Sequence, residues 1–187
     1  MDQGVAGKEL LSGREGDQVV LFEQMVLPHL DAAYNLARWL TRNEHDAEDI
    51  VQEACLRAFK FFDGFRGGDS RRWLLTIVRN TFYDSLPQSR SRELNVEFDE
   101  EIHSQVIEAV DPESLLIRDA DRQSVRQALE ELPLEFRETL VLRELEGLSY
   151  KEIADVAGIP LGTVMSRLAR ARKWLQSYLA RHQKEGL

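Results

Sequence analysis

Residues 148–174, LSYKEIADVAGIPLGTVMSRLARARKW, read as two short helices joined by a tight turn. In the first, Ile153, Ala154, Val156 and Ala157 recur at helical spacing, and Ser149 stands where a side-chain oxygen can cap the opening amides. Gly158-Ile159-Pro160 ends it, because glycine supplies the turn conformation and proline cannot continue an α-ladder. A second helix starts near Gly162-Thr163, with the Thr163 hydroxyl placed to accept a hydrogen bond from an exposed N–H. Its apolar stripe is Val164, Leu168, Ala171 and Leu175, which packs on the preceding helices. The opposite face offers Met165, Ser166, Ala169 and Arg170, and the helix also carries Arg167, Arg172 and Lys173.

A basic helix held at an angle by a short turn fits a B-DNA major groove. An αα-hairpin whose basic face is merely solvated has the same pattern, so the rest of the chain has to decide. The net charge of −9 over 187 residues looks wrong for a nucleic-acid binder until it is divided along the chain. Residues 93–122 hold ten acidic side chains against Arg118 and Arg122 alone. From 161 onward Arg167, Arg170, Arg172, Lys173, Arg181 and Lys184 face only Glu185. Residues 66–92 hold six arginines against Asp69 and Asp84. Two basic zones flank an acidic middle, and phosphate contact follows local charge.

A hydrophobic content of 43% with 30% charged residues is that of a soluble globular protein, one domain or two small ones. There is no apolar run of membrane-spanning length and no secretory signal, and Cys55 stands alone, which together point to the reducing cytoplasm. No basic residue flanks Cys55 directly, so it reads as an ordinary packed thiol.

Working outward, residues 1–18 read as a frayed polar leader. From Val19 to Arg42 a helix is expected, with Leu21, Phe22, Met25, Val26, Leu30, Ala33, Leu36, Ala37 and Leu40 on its core face and Pro28 kinking or splitting it. The next begins around His45-Asp46 and runs to about Phe62, its acidic first turns suiting the positive end of the helix dipole. Ile50, Val51, Ala54, Ala58, Phe61 and Phe62 form its buried stripe. Asp46, Asp49 and Glu53 share an outward face that is either solvated or docks a basic partner; with no EF-hand loop, a metal site is not expected.

Residues 63–69, DGFRGGD, form a glycine loop, after which Asp69 or Ser70 caps a helix with Trp73, Leu74, Ile77, Val78 and Phe82 at helical spacing. Phe65, Trp73, Phe82 and Tyr83 stand close to Arg66, Arg71, Arg72 and Arg79. Aromatic faces beside cations suit single-stranded nucleic acid, where stacking contributes roughly 1–3 kcal/mol per base; Trp73 and Phe82 are expected to be core.

Residues 89–112 read as an acidic linker, and a flexible chain of about 25 residues has a root-mean-square span near 30 Å. A helix then passes through Leu115, Leu116, Ala120 and Val125 to Leu129 and Leu132. Pro133 opens another, patterned by Phe136, Leu140, Val141 and Leu145 and ending at Gly147. The expected architecture is all-α. It has two small helical domains, 19–88 and 113–182, joined by the linker.

Residues 46–80, DAEDIVQEACLRAFKFFDGFRGGDSRRWLLTIVRN, resemble region two of the extracytoplasmic-function (ECF) branch of bacterial sigma factors. Residues 132–175, LPLEFRETLVLRELEGLSYKEIADVAGIPLGTVMSRLARARKWL, resemble region four of the same family. The resemblance implies a non-catalytic subunit with no cofactor, which directs core RNA polymerase to promoters and is controlled by an anti-sigma factor. Asp46, Asp49, Gln52 and Glu53 match the residues that dock on the β′ clamp helices, and region four would meet the β flap. Phe65, Arg66, Arg71, Arg72, Trp73, Ile77 and Asn80, with Gly67 and Gly68, match the reader and melter of the minus-ten element, Asn80 as a base-edge contact. Thr163, Met165, Ser166, Arg167, Ala169, Arg170 and Arg172 match the minus-thirty-five reader. Met165 stands where the family usually has Lys or Arg, and Ala169 where larger or polar residues are frequent. A missing Arg–guanine pair removes roughly 1–3 kcal/mol of base discrimination. A stand-alone helix-turn-helix regulator is the other reading; it needs a dimerising element, and none is evident.

Overall fold

The computed structural model describes residues 16–87 and 122–185, so the leader reading over 1–15 and the linker reading lie outside the described residues. No strand occurs among the described residues. By backbone contacts the chain divides into two compact units, Met1–Phe82 and Tyr83–Leu187.

The first unit is built on Pro28. Helix α1 spans 16–26, a 3-10 turn spans Leu27–His29 with the proline in its first turn, and α2 spans Leu30–Thr41. Proline lacks the amide an α-ladder needs, so the helix expected over 19–42 is split here, as the proline predicts. Phe22, Val26, Ala33, Leu36, Ala37 and Leu40 are buried as expected, but Leu21 is exposed: Phe22 and Val26, one turn apart, set the buried side of α1, and Leu21 falls off it. Arg42 closes α2 in the left-handed region at φ 59°. The Asn43 side chain accepts the Asp46 amide at 3.1 Å and opens α3, Glu44–Phe61, which packs on α2.

Ala47, Ile50, Ala54 and Ala58 form the buried stripe of α3, and Phe62 is buried just beyond it. Phe61 is exposed instead, because the helix ends there and a 3-10 turn, Phe62–Gly64, redirects the chain; the Lys60 ammonium lies over its ring. Helix α4 spans Ser70–Ser85 and buries Leu74, Leu75, Val78, Thr81 and Phe82.

In the second unit α5 spans Arg122–Glu131, and α6, Leu134–Leu140, runs into a π turn, Val141–Leu145. Arg137 is buried, and its guanidinium donates to the carbonyls of Glu130 and Leu132 at 3.2 and 2.8 Å. It thereby satisfies carbonyls at the end of α5 that have no partner within the helix. The extra residue of the π turn shifts the register beyond Leu142, which is why Leu145 is exposed rather than part of the core stripe. Helix α7 spans Tyr150–Ala157 and α8 spans Leu161–Glu185; α5, α6 and α7 all pack on α8. The buried residues Ala128, Leu132, Leu140, Leu142, Ile153, Val156, Val164, Leu168 and Ala171 form this core.

Candidate nucleic-acid interface

Helix α7 is fixed at both ends. Ser149 and Glu152 form a reciprocal capping box: the Glu152 amide donates to Ser149 Oγ at 3.3 Å, and Glu152 Oε2 accepts the Ser149 amide at 2.8 Å. At the other end Gly158 adopts φ 66°, and its amide and that of Ile159 both reach the Ala154 carbonyl. Helix α8 opens at Leu161, two residues before Thr163. The Pro160 carbonyl accepts the amides of Thr163 and Val164 at 3.0 and 3.2 Å, so Thr163 is inside the helix and not its cap. A type of turn that begins on a proline carbonyl leaves the threonine hydroxyl without the expected capping role.

With Val164, Leu168 and Ala171 buried, the outward stripe of α8 is Met165, Ala169 and Lys173, all exposed. Ser166 and Arg170 border it, half-buried, and Ser166 Oγ donates to the Thr163 carbonyl at 3.0 Å. Thr163 and Arg167 are half-buried on one flank; the Arg167 Nε is buried without a hydrogen-bond partner among the described residues. Arg172 folds back on Glu144 at 2.9 Å. Burial works against its charge, but hydrogen bonds to Glu144 and Tyr150 outweigh that and raise its pKa. The structure therefore brings Met165, Ser166, Ala169 and Arg170 onto one side and holds Arg172 apart from them. Lys173 joins that side, a position its four-residue spacing from Ala169 already contains.

In the first unit, Asp69 Oδ1 accepts the Arg72 amide at 3.0 Å and starts α4, while Gly67 and Gly68 take φ values of 86° and 108° that other residues rarely adopt. The loop they form lays Phe65 against Trp73, with ring centroids 4.8 Å apart, and Phe62 stacks on Phe65 at 6.0 Å. Trp73 is half-buried, neither free nor fully core, whereas Phe82 is core as expected. Trp73, Ile77 and Asn80, at i, i+4 and i+7, share one stripe of α4 away from its buried face; Asn80 is exposed and Ile77 half-buried. Arg66 is exposed on the loop, and Arg71 and Arg72 are half-buried in the first turn of α4. By register Arg71 falls on the other side of the helix from Trp73 and Asn80.

On α3, Asp46, Asp49, Gln52 and Glu53 are all exposed on one face. Glu53 Oε1 pairs with Arg57 Nε at 2.8 Å, and Asp49 lies 3.9 Å from His45. Leu56, 63% exposed, continues that face and is the residue the charge-led reading passes over. Its signal is an apolar side chain on the side opposite Ile50, Ala54 and Ala58. Among the described residues no group of acidic, histidine or cysteine side chains is arranged to hold a metal ion. No described helix is long and apolar enough to cross a membrane.

Residues 25–92 match the family model Sigma-70 region 2, and residues 122–175 match Sigma-70, region 4. The ECF RNA polymerase sigma factor SigE of Mycolicibacterium smegmatis is 37% identical over 172 residues, which cover 91% of this chain and 66% of that protein. The RNA polymerase sigma-H factor of Pseudomonas aeruginosa is 34% identical across 84% of this chain and 86% of its own length. The ECF RNA polymerase sigma-E factor of Escherichia coli K12 is 38% identical across 68% and 71%. Among solved structures, the sigma factor RpoE of Bartonella quintana, crystallised with the anti-sigma factor NepR, matches with a TM-score of 0.64 and 33% identity, covering 85% of this chain and 96% of that one. CnrH in complex with the cytosolic domain of CnrY matches at 0.58 and 27%, covering 86% and 88%. With both family regions present in order, and relatives matched over most of their length, the chain belongs to the ECF RNA polymerase sigma factors.

Proposed function

We propose that this chain is a dissociable promoter-specificity subunit, which brings core RNA polymerase to its promoters, opens the minus-ten element through the first unit and reads the minus-thirty-five element through α8. It performs no catalysis of its own. The observation that carries the reading is the pairing, in one chain, of a capped helix-turn-helix with a glycine loop that lays Phe65 on Trp73 beside exposed Asn80. A half-buried indole packed against Phe65 gives an unstacked base a surface, and Asn80 offers both a donor and an acceptor to a base edge. Extruding a base costs a few kcal/mol, which stacking and hydrogen bonds offset.

The exposed face Asp46, Asp49, Gln52, Glu53 and Leu56 is the docking surface for the β′ clamp helices, with an apolar contact set among charges. Region four also meets the β flap. A relative crystallised with an anti-sigma factor supports control of this chain by one, and its place of action is the cytoplasm, where the polymerase works.

The test is strand opening. Core polymerase with the full chain should render thymines near the minus-ten element reactive to permanganate, and Asn80→Ala should reduce that reactivity while leaving assembly with core intact. Full reactivity in the variant removes Asn80 from the site. No reactivity with the unaltered chain on any promoter removes the function.

A further inference from the structure

Among the arginines of α8, Arg172 is engaged within the protein. Its Nη2 donates to Glu144 Oε1 at 2.9 Å, and its side chain is 18% exposed against 42% for Glu144. Arg143, next to Glu144 on the π turn, donates to the Leu148 carbonyl at 3.1 Å and lies over the Tyr150 ring at 5.2 Å. One guanidinium therefore ties α8 to the π turn through Glu144, and the neighbouring Arg143 ties the π turn to the first residue of α7 through the Tyr150 ring. By register Arg172 follows Leu168 by four positions, at the border of the buried stripe.

A guanidinium suits this role, because its planar fork holds a carboxylate in a fixed geometry. To reach a base edge it would have to give up a charge-assisted hydrogen bond at a site partly shielded from water. The π turn is what makes the arrangement possible, since its extra residue turns Arg143 and Glu144 out of the ladder that Leu140 and Val141 follow.

We infer that Arg172 is a positioning residue, held by Glu144 as a brace that sets the angle at which α8 enters the major groove, and that bases are read without it. The inference rests on the reading of α8 as the duplex reader. It departs from the resemblance, which counts Arg172 among the readers, and it gives Glu144 a part in promoter binding although that residue does not lie on α8.

The experiment uses the full chain assembled with core polymerase and a library of duplexes randomised over the minus-thirty-five segment. Arg172→Ala and Glu144→Ala are each expected to weaken binding to the duplex selected by the unaltered protein about tenfold, with the double variant no weaker than either single one, as for two members of one network. The selected sequence and the slope of affinity against salt should stay unchanged. The inference is overturned if Glu144→Ala leaves affinity as it was or raises it, if the two losses add, or if Arg172→Ala selects different bases. Should an alanine variant fail to fold, Glu144→Gln and Arg172→Lys read the same coupling. If the unaltered protein selects no duplex, the duplex-reader reading fails; the brace is then judged by the same cycle on the urea midpoint, where additivity overturns it.

Discussion

Asn43, Asp69 and Ser149 each accept a backbone amide at the start of a helix, and each stands next to a surface assigned a function. Asp69 is the most exposed to a test, because the amide it holds is that of Arg72 and the loop before it carries Phe65. Asp69→Ala should lower stability in urea unfolding by about 1 kcal/mol, the usual worth of such a cap; no change would mean that the Asp69 carbonyl, which accepts the Trp73 amide at 3.0 Å, suffices alone. Cys55 gives a second prediction. Burial pushes its thiol above the ordinary value of 9.0, so the folded protein keeps it protonated at neutral pH. Alkylation by iodoacetate at pH 7.5 or so should be slower in the native chain than in urea, since the thiolate is the nucleophile. The unfolded chain ionises first as pH rises, so this group costs stability only in alkaline solution, above its unfolded pKa.

Helix ends show which local features a sequence displays and which it conceals. Gly158 at φ 66° is announced by its residue type, whereas Arg42 at φ 59° is a left-handed position occupied by a residue that does not advertise it. Opposite outcomes follow. Gly158→Ala should destabilise the second unit by about 1 kcal/mol, through conformation alone because its Cβ would meet nothing within 4 Å. Arg42→Gly should stabilise the first unit by about 0.5 kcal/mol in urea, the relief of the left-handed strain less the freedom glycine adds to the unfolded chain.

The same contrast explains what else is legible. Helical spacing and the Pro28 break identify the buried faces of α2 and α3, and the Ser149–Glu152 box is readable letter by letter. A π turn has no residue signature, so Leu145 is expected in the core and stands exposed. Phe61 is misplaced because hydrophobic spacing extrapolates α3 past the point where a 3-10 turn resets its face, and Leu21 because it lies to one side of the stripe of Phe22 and Val26. Buried Arg137 is invisible to a hydrophobic pattern, because its role is to satisfy carbonyls of the preceding helix. On α8 the outward residues are legible from the stripe opposite them, but the fate of Arg172 is not, since Glu144 lies 28 residues earlier and only the fold brings them together. Ile153→Ala, in the fully buried centre of the helix-turn-helix, should cost about 2–5 kcal/mol, which differential scanning calorimetry or urea unfolding would register.

Over the whole molecule, charge is arranged by segment. A chain of net charge −9 carries exposed Arg66 in its first unit and exposed Lys173 in its second, while the acids of α3 face outward on a separate helix. Substituting Lys173 by Ala should make holoenzyme binding to promoter duplex less salt-dependent, with a slope smaller by about 0.9, the value of one lost phosphate contact in B-DNA; an unchanged slope would place Lys173 away from the backbone. Both units act through the polymerase, so the central claim is tested most directly by transcription. Purified bacterial core polymerase, given linear fragments covering a bacterial genome of the same ECF lineage, should produce discrete new 5′ ends only when the full chain is added, and Glu53→Lys with Leu56→Asp should abolish them. Identical transcripts with and without the chain would contradict the account.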